Sequence, residues 1–226
     1  MIRLRVTAPF ATFRHFATGS FRPTIDFITP SAAFGLLLNI AGVEMRGGEG
    51  KNGTTLIQKG LPPIKLAIGA IKFPEQQEIL QQLHNYPVGT TRKEWKPFTK
   101  GSKYNILPVT RAFLSGIDAI IAIDSPDFEE KLRNSLEGKT QRKYGLPFLG
   151  DNSFILDRIE ETTPSLPAYW YCCLEEPLIE LDKQRINRFT ITIDREDMSK
   201  TRTALFAPTK ERISEIPSGA WVEVIY

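Results

Sequence analysis

Alternating apolar and polar residues at the start of the chain predict a β-strand. Over residues 1–7, one side of the extended chain would carry Ile2, Leu4 and Val6, and the other Arg3, Arg5 and Thr7. A period of two residues is the pattern of a strand with one buried face. The sequence therefore predicts a half-buried first strand.

An apolar helix is predicted to follow, between Thr29 and Gly42. Thr29 suits the N-cap because its hydroxyl can accept from a backbone N–H of the first turn, and Pro30 suits the first helical position. Gly42 offers a left-handed C-cap. Apolar residues recur at helical spacing, so one face of this helix is expected to be buried: Phe34, Leu37, Leu38 and Ala41.

The next elements complete a recognisable order. We predict a glycine-rich connection over 43–63, strands at 64–73, 116–124 and 153–160, and helices at 74–86 and from Ser125-Pro126 to Gly138. The helix at 74–86 would belong to a basic insertion between the two middle strands. Without it, the order is strand, helix, strand, strand, helix, strand, which is the ferredoxin-like arrangement.

The end of the chain predicts a smaller β-rich unit. After a proline-containing break at 163–167, strand candidates lie at 169–174, 186–193 and 220–226. We therefore expect an α+β protein with a ferredoxin-like (RRM-like) domain over residues 1–162. An insertion at about 74–110 and a small C-terminal antiparallel unit over 163–226 would complete it.

Composition fits an ordinary globular protein, with 41% hydrophobic and 24% charged residues and a net charge of +3 over 226 residues. We see neither a membrane-length apolar run nor a signal-peptide core at the start, so we expect a cytoplasmic protein with no membrane partner. The only cysteines, Cys172 and Cys173, are adjacent. They are interpreted as reduced thiols on a half-buried strand, since a bridge between neighbours is strained.

The segment 90–105 is basic and rich in aromatic residues. It has five cations and a single acid, Glu94, and its aromatic residues are Trp95, Phe98 and Tyr104. Phosphates attract the cations and unpaired bases stack on flat rings, so the mixture favours binding of a single strand. In the alternative interpretation, it is a solvated hairpin whose rings pack on the body of the protein.

Several stretches resemble the RAMP family of CRISPR-associated proteins. The opening residues 4–14, followed by Phe21-Arg-Pro-Thr24 and Pro30-Ser-Ala-Ala-Phe-Gly-Leu-Leu38, are similar to that family's N-terminal pattern. Tyr144-Gly-Leu-Pro-Phe-Leu-Gly-Asp-Asn-Ser-Phe154 resembles its late glycine-containing loop. The basic insertion lies where the family carries a protruding thumb. The similarity covers roughly the first two-thirds of the chain.

The resemblance implies the subunit that caps the 5′ handle of the guide RNA in a type I Cascade complex. Its partners would be the guide RNA and the backbone and large subunits, and a contact with target DNA near the PAM is left open. No cofactor and no membrane are implied.

The same resemblance assigns RNA binding to two loops that composition alone would leave as ordinary surface. The loop residues are Arg14, His15, Arg22, Arg142, Lys143 and Tyr144. With the basic segment of the thumb, the predicted site also includes Arg92, Lys93, Trp95, Lys96, Lys100, Lys103 and Tyr104.

The predicted sheet offers no stacking platform. An RNA-recognition motif carries aromatic residues on its first and third strands. The predicted strands at 2–7 and 116–124 contain none. Binding is therefore expected at the loops and the thumb.

Two other functions remain open. In a metal-independent ribonuclease, His15 with Lys143 and Tyr144 could form a site if the two loops meet, whereas His84 is expected to be structural on the helix at 74–86. Carboxylates do not cluster at metal-binding spacing, so no metal and no catalytic residue are predicted. The third possibility is a scaffold that binds only proteins. We expect a non-catalytic RNA-binding subunit.

Overall fold

A large, mostly antiparallel sheet and two α-helices dominate the computed structural model, which describes residues 1–15, 21–50, 55–84, 106–140, 145–175 and 179–226. The helices are α1 (Pro30–Ile40) and α2 (Pro126–Leu136). The strands are β1 (Ile2–Ala11), β2 (Phe21–Arg22), β3 (Arg46–Glu49), β4 (Thr55–Ile57), β5 (Ile64–Lys72), β6 (Glu75–His84), β7 (Ile106–Ile123), β8 (Arg158–Glu161), β9 (Tyr169–Cys173), β10 (Asn187–Thr192), β11 (Arg202–Pro208) and β12 (Val222–Val224).

Four antiparallel strands form the centre of the sheet, in the order β5-β7-β1-β8. The first strand is confirmed: Leu4 pairs with Ile121 of β7 and is fully buried. The helix α1 lies between β1 and β5 in the chain, and α2 lies between β7 and β8. The mixed α+β class with two helices on this sheet is therefore confirmed.

Both predicted helices of this core form, and they share one hydrophobic core with the sheet. Thr29 caps α1 by accepting from the backbone N–H of Ala32 at 3.3 Å, and Gly42 adopts φ +70° just after the helix end. The α2 side chains Phe128 and Leu132 are buried in the same cluster as α1. Ser125 is the N-cap residue of α2 and Pro126 follows it, but the Ser125 hydroxyl makes no capping hydrogen bond and instead accepts from the backbone N–H of Lys65 at 3.1 Å.

The helix predicted at 74–86 is wrong, because residues 75–84 form β6 instead. All ten residues of β6 pair with β7, from Glu75 opposite Ser115 to His84 opposite Ile106. Glutamine, glutamate and leucine favour a helix only weakly, and the long neighbouring strand offers a continuous hydrogen-bonded partner that overrides this preference. We call β6 and its partner residues 106–115 the ribbon.

The boundaries of three other predicted segments also differ from those in the structure. The third strand begins at Ile106 rather than Gly116, because Gly116 adopts φ +73° inside β7 and does not end it. The fourth strand begins only at Arg158, since residues 153–157 belong to a loop. Part of the connection predicted over 43–63 pairs as the β3–β4 hairpin.

The C-terminal residues add four strands where three were predicted. The strand β11 was missed, because Arg202–Pro208 lacks a clean alternation and ends in proline. Instead of forming only a separate unit, two of these strands join the central sheet: Trp170 of β9 pairs with Gly69 of β5, and β12 pairs with the other end of β5. The domain boundary expected at residue 162 stays a prediction.

The C-terminal segment covers the sheet face opposite the helices. Ile120 and Ala122 of β7 pack there in a second hydrophobic cluster with Trp170. Arg3 of β1 is buried on this face, where its guanidinium donates to the backbone oxygens of Pro164 and Ser214 and lies 5.6 Å from the centre of the Trp170 ring. Burial lowers the pKa of Arg3, but a guanidinium stays charged at neutral pH.

Replacing Arg3 with alanine should therefore destabilise the fold by about 1–3 kcal/mol, because the two carbonyl oxygens lose their donor in a buried place. Denaturant unfolding followed by tryptophan fluorescence measures this change.

Arg5→Ala is the matched control, two residues along the same strand. Arg5 pairs with Asp118 at 2.8 Å but its side chain is 39% exposed, so its loss should cost no more than about 1 kcal/mol. Equal losses for the two variants would contradict the anchoring role of Arg3.

Candidate nucleic-acid interface

Three of the predicted site residues belong to the described part of the chain, and all three are exposed: Arg14, His15 and Arg22. The other predicted residues lie outside the described ranges, so their roles stay predictions. They are Arg92, Lys93, Trp95, Lys96, Lys100, Lys103, Tyr104, Arg142, Lys143 and Tyr144.

Buried Thr24 fixes the position of Arg14. Its hydroxyl accepts from the backbone N–H of Phe13 at 2.9 Å, and Thr24 also forms a β-bridge with Arg14. A second hydrogen bond joins the same two segments, because the backbone N–H of Ile25 donates to the backbone oxygen of Phe13 at 3.0 Å. The two ends of the predicted basic loop are therefore held together, and Arg14 is presented at a defined point.

The glycine loop predicted at 144–154 packs against the backbone next to Arg14 through Gly150. This residue has φ +81°, and a Cβ atom there would lie 2.0 Å from the backbone oxygen of Thr12. Only glycine permits this approach without displacement of one backbone. Gly145 and Phe148 line the same cleft as Arg14. The described parts of the two predicted RNA-binding loops are therefore neighbours in space.

Arg111 joins the site from β7, and our sequence reasoning missed it. It pairs across strands with Arg22 of β2, so the two side chains lie on the same side of the sheet. Its guanidinium donates to Asp151 at 2.6 Å and lies 5.3 Å from the centre of the Phe154 ring. A single cation inside the otherwise apolar and neutral stretch 106–117 was the signal that could have revealed it.

Asp151 stays charged beside Arg111. Burial alone would raise the pKa of Asp151, but a hydrogen bond from the backbone N–H of Ser153 at 2.9 Å and the guanidinium of Arg111 outweigh it and lower the pKa. The ion pair links the middle of the ribbon to the glycine loop. Among the described residues Arg22 has no ion-pair partner, so its charge is available to an anion.

The predicted ranges 2–7 and 116–124 contain no aromatic residue, but both strands are longer than predicted, and their added residues do carry aromatic rings. Phe10 of β1 and Phe113 of β7 meet edge to face with 5.4 Å between ring centres, and Phe113 stacks near Phe154 at 6.2 Å. Phe10 is 44% exposed. These rings form an aromatic cluster beside Arg111.

The aromatic cluster does not rebuild the platform of an RNA-recognition motif. Phe10 falls on the same side of β1 as Val6 and Ala8, which face the helix-side core. The opposite face is covered by the C-terminal segment. Any nucleic acid would therefore bind at the rim of the sheet rather than across its face.

The remaining chemical candidates contribute little to this site. His84 lies on β6 instead of the predicted helix. Both cysteines are free on β9, and burial raises the pKa of Cys172 to about 12, so its thiol is protonated at neutral pH. Within the described ranges, no His, Cys, Asp and Glu side chains cluster at a metal site, and no helix there could cross a bilayer.

The close approach at Gly150 generates a stability prediction. Gly150→Ala should destabilise the fold by about 1–2 kcal/mol for its left-handed backbone, with about 1–3 kcal/mol more for the overlap with the Thr12 oxygen. Thermal or denaturant unfolding measures the loss.

Gly138→Ala is the matched control, because Gly138 has φ +74° but open space around its Cα. That variant should show the backbone cost alone. If both variants lose the same stability, the loop does not depend on the contact with Thr12.

Comparisons with known proteins agree with this architecture. One solved chain, from a structure titled "CRISPR RNA-guided surveillance complex", superposes with a TM-score of 0.56 at 14% identity, covering 96% of this chain and 93% of that one. Another, titled "Crystal structure of Cas protein", has a TM-score of 0.50 at 12% identity and covers 97% and 98%. At such identities, these matches show a shared fold.

Sequence comparison identifies the family. No curated protein sequence matches the chain. The family profile described as CRISPR-associated protein (Cas_Cas5) matches residues 1–154, which include β1, both helices, the ribbon and the glycine loop. This match spans more than half of the 226 residues. The chain therefore belongs to the Cas5 family of CRISPR-associated proteins.

Proposed function

We propose that this chain is a non-catalytic, RNA-binding subunit of a Cascade-type CRISPR complex and that it grips the 5′ handle of the guide RNA. Family membership and the fold shared with a chain of an RNA-guided surveillance complex support this proposal. The guide RNA and the backbone and large subunits would be its partners. A contact with target DNA near the PAM belongs to the same proposal.

One observation carries the RNA-binding part. Arg22 and Arg111 lie side by side on neighbouring strands, and among the described residues only Arg111 of the two has a carboxylate partner. Like charges opposite each other on a sheet destabilise it. An RNA phosphate at Arg22 would relieve this repulsion, and the neighbouring Arg14 and glycine loop would supply further contacts. The arrangement fits a phosphate backbone that follows the rim of the sheet.

The ribbon supplies the thumb in this proposal. Its strands β6 and β7 are joined by residues 85–105, which carry the predicted cations and Trp95. We infer a ferredoxin-like core from the antiparallel order β5-β7-β1-β8 and from the positions of α1 and α2 in the chain. The thumb would extend from the open side of this core over about residues 74–110, and residues 163–226 would form the appended C-terminal unit.

Arg22→Gln should weaken binding of a repeat-derived handle RNA and should reduce the slope of log K against log salt by about 0.7, because one phosphate contact to a single strand is lost. Fluorescence anisotropy at several salt concentrations measures both quantities.

Arg188→Gln is the control, an exposed arginine on β10 at the far end of the sheet. It should leave the slope unchanged. A wild-type slope for Arg22→Gln would place the RNA elsewhere.

His15 separates binding from catalysis. A metal-independent ribonuclease needs a group that exchanges a proton near neutral pH, and glutamine cannot replace histidine in that role. We expect the wild-type protein to leave repeat RNA uncut, with or without chelator, and His15→Gln to lower affinity modestly. Denaturing gels with end-labelled RNA show the outcome. Chelator-resistant cutting that disappears in His15→Gln would establish the ribonuclease instead.

A further inference from the structure

The outer edge of β6 is unpaired in the described part of the chain. One edge of β6 pairs with β7 along all ten residues, and no other described strand lies on the opposite edge. Every second residue of a strand directs its N–H and C=O away from a given neighbour. The outer edge of β6 therefore presents a row of backbone donors and acceptors that a further strand could satisfy.

The side chains in the first part of β6 are exposed as well. The six residues from Glu75 to Leu80 are all exposed, on both faces of the strand. Ile79 and Leu80, which point to opposite faces, are 53% and 69% exposed. Two large apolar side chains at adjacent positions leave neither face of the ribbon purely polar.

Most of the usual protections of an exposed edge are absent from this stretch. Sheet proteins block free edges with charged side chains, above all lysine, with proline, with bulges or with very short strands. Between Glu75 and Gln82 there are two glutamates but no lysine, arginine or proline, and the pairing with β7 has no register shift. An edge of this length with so few protections is suited to pairing with a chain that can neutralise the two carboxylates.

Charge argues against RNA on this edge. The only charged side chains from Glu75 to Gln82 are Glu75 and Glu78, which repel phosphates. Arg22 lies on β2 and Arg111 on β7, where Arg111 pairs opposite Ile79 and shares its face of the ribbon. The backbone edge of β6 and the face that carries Leu80 are therefore separate from the surface assigned to RNA.

We propose that the outer edge of β6 binds an extended segment of a neighbouring protein subunit, which adds a strand to the ribbon. Apolar side chains of the segment would contact Ile79 on one face and Leu80 on the other, and a lysine or arginine would face Glu75 or Glu78. Main-chain hydrogen bonds would provide affinity and these side chains specificity, as in other cases of strand addition. That the neighbour belongs to the RNA-guided complex rests on the proposed function.

A second copy of this chain fits the edge less well. Two β6 strands in contact would bring four carboxylates together, and residues 75–82 contain no lysine or arginine to neutralise them. The charge of the edge therefore favours a partner of different sequence that carries cations.

Hydrogen–deuterium exchange tests the backbone part of this proposal. Amide exchange over 75–82 is measured at single-residue resolution in the isolated chain, with handle RNA alone, and in the complex reconstituted with its protein subunits and guide RNA. We expect alternate amides to exchange at least about tenfold slower in the complex only. No slowing in the complex, equal slowing by RNA alone, or full protection in the isolated monomer would each overturn the proposal.

A matched pair of double variants tests the side-chain part. Ile79→Lys with Leu80→Lys should reduce the fraction of the chain retained in the reconstituted complex by about tenfold. Met198→Lys with Ile225→Lys adds the same charge at exposed apolar positions elsewhere, 56% and 50% exposed, and should assemble like the wild type. Assembly of the β6 variant at the level of this control would overturn the proposal.

Two further measurements separate this inference from the function on which it rests. Because Ile79 lies opposite Arg111, RNA binding is compared for Leu80→Lys alone, on the other face, which should bind handle RNA at least as tightly as the wild type. A failure of RNA binding in the wild type would contradict the proposed function and not the edge. Sedimentation of the isolated wild type should show a monomer. Self-association that the β6 variant abolishes would assign the edge to a second copy and overturn the partner proposed here.

Discussion

The long strand β7 belongs to both the central sheet and the ribbon, and the rest of the structure depends on this shared strand. Its second half, rich in isoleucine, is buried between β1 and β5. Its first half is the inner strand of the ribbon. The change of partner from β5 to β6 occurs next to Gly116, whose φ of +73° is accessible to glycine without strain. The ribbon is therefore anchored by the core of the domain.

The two faces of the sheet are closed in different ways, and this decides where a ligand can bind. The helices bury a mostly apolar face, whereas the C-terminal segment is anchored on the other face by the buried guanidinium of Arg3 beneath Trp170. A covered face cannot stack bases. Cations and rings useful to a nucleic acid therefore occur at the rim, where β1 and β2 end and the ribbon begins.

At this rim, two neighbouring arginines differ in their partners. Asp151 pairs with Arg111 and thereby connects the ribbon to the glycine loop, while Arg22 has no ion-pair partner among the described residues. Gly150 lets the loop approach Thr12 closely enough for this arrangement. In our proposal, the acidic outer edge of β6 binds a different kind of partner. The ribbon therefore separates an RNA-binding side from a protein-binding edge in our proposals.

Local patterns in the sequence determined the elements whose side chains face one core. The alternation at 2–6, the capped helix from Thr29 and the stripe of Phe128 and Leu132 each repeat at the period of their structure, so burial on one side is sufficient to predict them. The N-terminal motif and the glycine loop were also enough to indicate the family.

Only the tertiary structure decided the conformation of β6, the true length of β7 and the approach of Arg111 to Asp151. Residues 75–80 of β6 are exposed on both faces, so no core imposes a period on their sequence, and the helix-favouring composition was misleading. Pairing with a strand more than twenty residues away determines their conformation. Arg111 and Asp151 are forty residues apart and meet only because Gly150 brings the loop against β1. Such contacts depend on how distant backbone segments pack together, and no local sequence pattern predicts that packing.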